Sequence, residues 1–133
     1  MLPFLQRFVG SNVKETADHL LYAEVKKNLE TYYMMFQLGK YRLFSLQAFE
    51  AVAAGPGVVL DEDVVYYGRR IMEYNQAAKE YRDYKDWYSE DVNRKTRENA
   101  GVLHEKKQIA QEKFEGLEDI ILAAKKAFQL QGC

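Results

Sequence analysis

Several residue types and patterns are scarce in this chain of 133 residues, and each scarcity excludes a class of protein. The single cysteine, Cys133, allows no disulfide within the chain and provides no Cys/His cluster for zinc or iron–sulfur binding. No run of about eighteen apolar residues occurs, so no transmembrane helix is expected. A reducing, intracellular location is therefore predicted, which would be the cytoplasm.

The N-terminal stretch MLPFLQRFVGSN is apolar, contains Arg7 and has no acidic residue. It lacks the apolar core and cleavage site of a secretory signal. We interpret residues 1–11 as a short arm that docks over the core. The alternative is the remnant of a mitochondrial presequence, which would place the protein in the mitochondrial matrix.

An excess of charge of either sign is also absent, since 19 basic residues face 20 acidic ones and the net charge is -1. Proteins dedicated to nucleic-acid binding usually carry a clear basic excess, because contacts with phosphates supply most of their affinity. We therefore expect no nucleic-acid partner.

Catalytic motifs are missing as well. The sequence contains no P-loop, dinucleotide fingerprint, GxSxG or HExxH motif. Glu15 and His19 are four residues apart and could share a metal on one helix face, whereas His104 has no partner at ligand spacing. We predict a protein that is not an enzyme and needs no cofactor or metal. A metal-binding enzyme built on the Glu15–His19 pair is the weakest alternative.

Two prolines and eight glycines are few for a chain of this length, and their scarcity favours long helices. The sequence predicts a single all-α domain, an elongated antiparallel bundle of three long helices. After the arm, the expected helices cover residues 12–54, 61–99 and 102–131.

The helix boundaries are predicted from breakers and capping residues. Gly55-Pro56-Gly57 ends the first helix, and Asp61 is a suitable N-cap for the second. Gly39 is a weak point that could mark a bend. A second reversal is expected at Ala100-Gly101, with a continuous helix through Gly101 as the competing interpretation.

Four tyrosines recur every seven residues in the second helix, at Tyr67, Tyr74, Tyr81 and Tyr88. Apolar residues between them complete the three-and-four spacing of a coiled-coil-like seam. A row of catalytic phenols would need a neighbouring base or metal, and base stacking would need a basic groove. We therefore predict a packing seam. A similar apolar face on the third helix comprises Leu117, Ile120, Ile121, Ala124 and Phe128.

The middle of the first helix carries more apolar residues than one core-facing stripe needs. A helix that is apolar nearly all round meets either a covering segment of its own chain or another protein. The N-terminal arm would be the intramolecular cover. The intermolecular alternative predicts a protein interface formed by Leu29, Tyr33, Met34, Met35, Phe36, Leu38, Tyr41, Phe44, Ala48 and Val52.

Taken together, these patterns predict a non-catalytic structural or adaptor subunit that mediates protein–protein assembly, with self-association as the first version to test. The main alternative is a peripheral membrane protein. It would use an apolar edge of the N-terminal arm formed by Leu2, Phe4, Leu5 and Phe8.

Overall fold

The computed structural model describes the backbone of residues 11–55 and 59–130, and the side chains of residues 16–55 and 59–129. All regular secondary structure within these ranges is helical, which confirms the all-α prediction. The α-helices are α1 (Ser11–Leu38), α2 (Gln47–Ala53), α3 (Glu62–Glu90), α4 (Arg97–Phe114) and α5 (Leu117–Leu130), with a 3-10 turn at Val92–Arg94. Four long helices and one short helix thus replace the three long helices expected from the sequence.

The predicted first helix, 12–54, is interrupted. Helix α1 ends at Leu38, where the N–H of Gly39 donates to the carbonyl of Met35 at 2.8 Å. Gly39 has a φ of +66°, a conformation that glycine adopts without strain and that stops a helix. The sequence singled out Gly39 as a weak point, but the outcome is an end rather than a bend. Residues 40–46 are not helical, and α2 follows them.

The predicted reversal at Ala100-Gly101 is wrong, because the chain turns at residues 91–96. The Asp91 side chain accepts a hydrogen bond from the N–H of Asn93 at 2.9 Å. The Thr96 hydroxyl then caps α4 by accepting from the N–H of Asn99 at 3.1 Å. Gly101 lies inside α4, so the helix is continuous at that residue, as the competing interpretation held.

The predicted third helix, 102–131, is also divided. A break between Phe114 and Leu117 separates α4 from α5, and Gly116 has a φ of +81° there. Since this backbone conformation favours glycine, it explains why one periodic sequence forms two helices.

Helices α1 and α3 run parallel to each other. The Asn28 side chain of α1 bonds to the hydroxyl of Tyr67, and seven residues later Met35 contacts the hydroxyl of Tyr74. Residue numbers therefore rise in the same direction along α1 and α3. The antiparallel hairpin expected for the first two long helices is not formed, because the residues that connect α1 to α3 reverse direction and run back between them.

Helix α4 runs antiparallel to α3. The ammonium of Lys106 lies over the ring of Tyr84, and further along α4 that of Lys113 lies 3.9 Å from the Glu73 carboxylate. The turn at residues 91–96 thus joins a two-helix hairpin. The far part of this hairpin, residues 79–104, contains no fully buried residue.

Helix α5 continues in the same direction as α4 and packs against both α1 and α3. Its Phe128 ring lies 6.1 Å from that of Tyr22, near the beginning of α1. Tyr32, near the end of α1, stacks on Phe114 at the end of α4. Residue numbers therefore fall along α5 as they rise along α1, and the two helices are antiparallel.

The core confirms the predicted seam over its first half. The seam residues Val64, Tyr67, Ile71, Tyr74 and Ala78 are buried. Tyr81 and Tyr88 are half-buried because they lie in the two-helix hairpin. On α5, the predicted face is also confirmed, with Ile120 half-buried and the other members buried: Leu117, Ile121, Ala124 and Phe128.

The predicted start of the second long helix is likewise confirmed. Helix α3 begins at Glu62, and the Asp61 carboxylate accepts a hydrogen bond from the N–H of Asp63 at 2.9 Å. Glu62 and Asp63 add negative charge in the first turn, where the helix dipole favours it.

A glycine in α3 allows α2 to pack closely, and a matched pair of variants tests this contact. A Cβ at Gly68 would overlap the Phe49 ring, whereas a Cβ at Gly101 meets nothing within 4 Å. We expect Gly68→Ala to lower the free energy of unfolding by about 1–3 kcal/mol, as overpacking does. Gly101→Ala should raise it by about 0.5–1 kcal/mol, since alanine favours the helix. Urea unfolding measures both, and equal effects would contradict this packing.

Candidate functional site

The segment of residues 39–53, which we call the return segment, runs back between α1 and α3. The Tyr74 hydroxyl of α3 donates to the carbonyl of Arg42 at 2.9 Å. Further along, Ser45 pairs with Asn28 of α1, and Phe49 meets Glu24 one turn earlier in α1. The return segment therefore lies antiparallel to both long helices and fills the space between them.

Two asparagines hold the extended part of the return segment. Asn28 donates to the carbonyl of Ser45 at 2.7 Å and accepts from its N–H at 3.0 Å. Asn75 likewise accepts from the N–H of Phe44 at 2.9 Å and donates to its carbonyl at 3.0 Å. Each side-chain amide thus pairs with one backbone residue as a neighbouring strand would. Two consecutive residues are bonded from opposite sides, one by α1 and one by α3.

A buried carboxylate orients the short helix α2. Glu24 is 8% exposed and accepts from the Ser45 hydroxyl at 2.8 Å and from the N–H groups of Ala48 and Phe49 at 2.9 Å each. The residue before α2, Leu46, offers no side-chain cap. Glu24 therefore satisfies the free N–H groups at the beginning of α2 from a neighbouring helix.

Sequence reasoning missed these polar residues. The available signal is their position, because Glu24 and Asn28 are four residues apart on the same side of α1 as Leu21 and Val25. Buried polar side chains require partners, so a polar pair within an apolar stripe indicates a segment that binds there.

The asparagine contact can be tested with two adjacent residues. Asn75→Ala leaves the N–H and carbonyl of Phe44 without their partner, and we expect it to lower the free energy of unfolding by about 1–3 kcal/mol. Gln76 is exposed and bonds only to Glu80 among the described contacts. Gln76→Ala should change stability by about 0.5 kcal/mol or less. Chemical denaturation compares the two, and similar values would argue against the clamp.

The residues predicted to form an interface divide into three groups by burial. Buried within the chain itself are Met35, Phe44 and Val52. Half-buried are Leu29, Tyr41 and Ala48. Exposed at the end of α1 are Tyr33, Met34, Phe36 and Leu38. The buried group is covered by the return segment and its contacts, so these three residues do not belong to a free surface.

The four exposed residues form what we call the α1-end patch. Phe36 is 74% exposed and Leu38 is 56% exposed. The expected cover, the N-terminal arm of residues 1–11, lies outside the described range except for the backbone of Ser11, which begins α1. Leu2, Phe4, Leu5 and Phe8 of the membrane hypothesis also lie outside that range.

A pocket of about 310 Å³ adjoins this patch where α1, the return segment and the α4–α5 junction meet. Its lining residues are Tyr32, Met35, Phe36, Gly39, Tyr41, Gln111, Phe114 and Glu115. Tyr32 and Phe114 are stacked, with ring centroids 4.6 Å apart and planes 10° apart. Tyr41 meets Phe114 edge-on at 5.9 Å. We call this the aromatic pocket.

Three tyrosines of the core and the pocket, Tyr32, Tyr41 and Tyr67, have a raised pKa and are neutral phenols at physiological pH. Burial raises the pKa of Tyr32, and the negative charge of Glu118 raises it further. Burial also raises the pKa of Tyr41, with contributions from Tyr81 and Glu115. The pKa of Tyr67 lies well above its usual value because the phenol is buried in the core.

The raised pKa of Tyr67 predicts alkaline destabilisation. The unfolded phenol loses its proton near pH 10, whereas the folded one keeps it, so deprotonation favours unfolding as the pH rises above about 10. We expect Tyr67→Phe to reduce the loss of stability between about pH 9 and 11. Tyr66→Phe, at an exposed neighbouring position, should leave that loss unchanged. Urea midpoints measure this, and an unaltered loss in the Tyr67 variant would contradict it.

Residues considered for catalysis lie apart from the pocket. His19 and His104 are exposed on α1 and α4, and the side chain of Glu15 lies outside the described range. Among described residues, no group of three His, Cys, Asp or Glu side chains could hold a metal ion. Within the same part of the chain, no helix combines the length and apolarity needed to cross a bilayer.

Comparisons of the chain with models of protein families, with curated proteins and with solved structures find no match. Two surface features of the described residues bear on function, the α1-end patch and the aromatic pocket.

Proposed function

We propose that this chain is a non-catalytic structural or adaptor subunit that assembles with another polypeptide through the α1-end patch. The observation that carries the proposal is the 74% exposure of Phe36 beside three further exposed large side chains. Single exposed apolar residues are ordinary, but four large exposed side chains at the end of one helix indicate an interaction surface. Tyr, Phe and Met are also the residue types enriched at interface cores.

Described contacts favour an external cover for this patch. Phe128 packs on Tyr22, in the first half of α1, so the end of α5 lies far from the patch. The four patch side chains stay exposed among the described residues, and a second molecule would supply their cover.

A second copy of the chain is the occupant we propose. The four patch residues carry no charge, so two patches facing each other meet no like-charge repulsion. Symmetric dimers bury the same surface on both subunits, and an apolar, uncharged surface is complementary to itself. The neighbouring Met34 side chain is flexible and can adapt to such a contact.

The test is the oligomeric state of two charge-introducing variants. Phe36→Asp should weaken self-association at least about tenfold, because a carboxylate would be buried in the interface without a partner. The variant should still fold, since Phe36 is largely outside the core. Sedimentation velocity over a range of concentrations measures the association, and circular dichroism measures the fold.

Met72→Asp is the matched control. Met72 is 45% exposed on α3, a different helix from the one that carries the patch, and its substitution should leave self-association unchanged. A wild-type chain that remains monomeric at high concentration would contradict the proposal. Equal loss of association in both variants would also contradict it, because the effect would not be specific to the α1-end patch.

A further inference from the structure

The aromatic pocket has the size of a site for a small group. Its volume of about 310 Å³ is at the lower end of the range for ligand sites in proteins, which is about 300–1,000 Å³. Three separate parts of the chain converge on it: Tyr32 from α1, Tyr41 from the return segment and Phe114 from α4. The pocket is complete within one molecule.

Aromatic residues make up half of its lining: Tyr32, Phe36, Tyr41 and Phe114. Tyr32 and Phe114 are stacked on each other, and Tyr41 stands at 70° to Phe114. The exposed ring of Phe36 completes the lining at the solvent side. The face of an aromatic ring carries partial negative charge, so several rings around one space attract a cation.

The charged groups around the pocket favour the same sign of ligand. Glu115 lines it, and the eight lining residues include no lysine or arginine. Glu118 is close enough to raise the pKa of Tyr32. The ammonium of Lys113 lies 3.9 Å from Glu73, so this neighbouring cation is paired on α3. A cation entering the pocket therefore meets a carboxylate and no like charge among the lining residues.

We propose that the aromatic pocket binds an alkylammonium group, of the kind carried by choline-type molecules and by lysine side chains, methylated or not. The aromatic rings attract the cation and contact its alkyl groups, and Glu115 balances its charge. An alkylammonium fits better than a metal ion, because Glu115 is the only carboxylate among the lining residues. The proposal does not depend on self-association, since one chain supplies every wall.

The first test compares a cation with its neutral counterpart. Choline and tetramethylammonium are titrated into the chain and followed by NMR, with 3,3-dimethylbutan-1-ol as the uncharged analogue of choline. We expect millimolar binding of both cations, with shifts at Tyr41 and Phe114, and affinity for the alcohol at least about fivefold weaker. Equal affinity for the alcohol, or no shifts with either cation, would overturn the proposal.

Matched variants locate the binding. Glu115→Gln removes the charge with little change of shape and should weaken choline binding about three- to tenfold. Glu112→Gln, an exposed position in α4 outside the lining, should leave it unchanged. Phe36→Leu removes one ring without adding charge and should weaken binding similarly. Unchanged affinity in both pocket variants would show that the cations bind elsewhere.

A final comparison separates the two sources of the ammonium group. Nα-acetyl-lysine amide and its trimethylated form stand for a docked lysine, and choline stands for a free molecule. If a docked chain supplies the group, saturating choline should also lower self-association in sedimentation. If a small molecule supplies it, association stays constant. Loss of association in Phe36→Asp, together with no choline binding in wild type, would overturn this proposal and leave the assembly role intact.

Discussion

The fold depends on hydrogen bonds that satisfy a non-helical stretch of backbone inside a helical protein. The peptide groups of Phe44 and Ser45 lie between two helices, where unpaired N–H and carbonyl groups would each cost about 1–3 kcal/mol. Asn28 and Asn75 provide the missing partners, and Glu24 does the same for the first turn of α2. Without these three side chains, the return segment would be more stable in water or as a helix. Helices α1 and α3 would then lose the segment that lies between them.

This constraint determines the direction of the long helices. Because the chain returns between α1 and α3, the second long helix starts beside the middle of the first and runs parallel to it. The antiparallel partner of both is then the divided helix α4–α5. The same return leaves the last turn of α1 without a following helix to cover it. The exposed α1-end patch is therefore a direct consequence of the path that the return segment takes.

Local patterns made part of this structure predictable from the sequence. The Asp61 cap, the seam as far as Ala78 and the α5 face each depend on residues close together in the chain. The non-helical stretch of residues 40–46 was not predictable in this way, because its residues continue the helical spacing and contain no proline. Contacts with Asn75, 31 residues away from Phe44, override that local preference. The surplus of apolar residues in the second half of α1 was also evident from the sequence. Which of them are buried was not, because neighbours such as Met35 and Phe36 differ in burial through contacts with distant parts of the chain.

The aromatic pocket follows from the same geometry. Tyr41 reaches Phe114 because the neighbouring residues of the return segment are fixed by α3, where the Tyr74 hydroxyl binds the carbonyl of Arg42. Phe114 reaches Tyr32 because α4 ends at that level and Gly116 redirects the chain into α5. Rings from three segments therefore meet through backbone constraints rather than through a local motif. The polar network in the core thus fixes where helices end. It thereby places the aromatic pocket, with Glu115 in its lining, beside the α1-end patch. The proposed binding and the proposed assembly both arise from that placement.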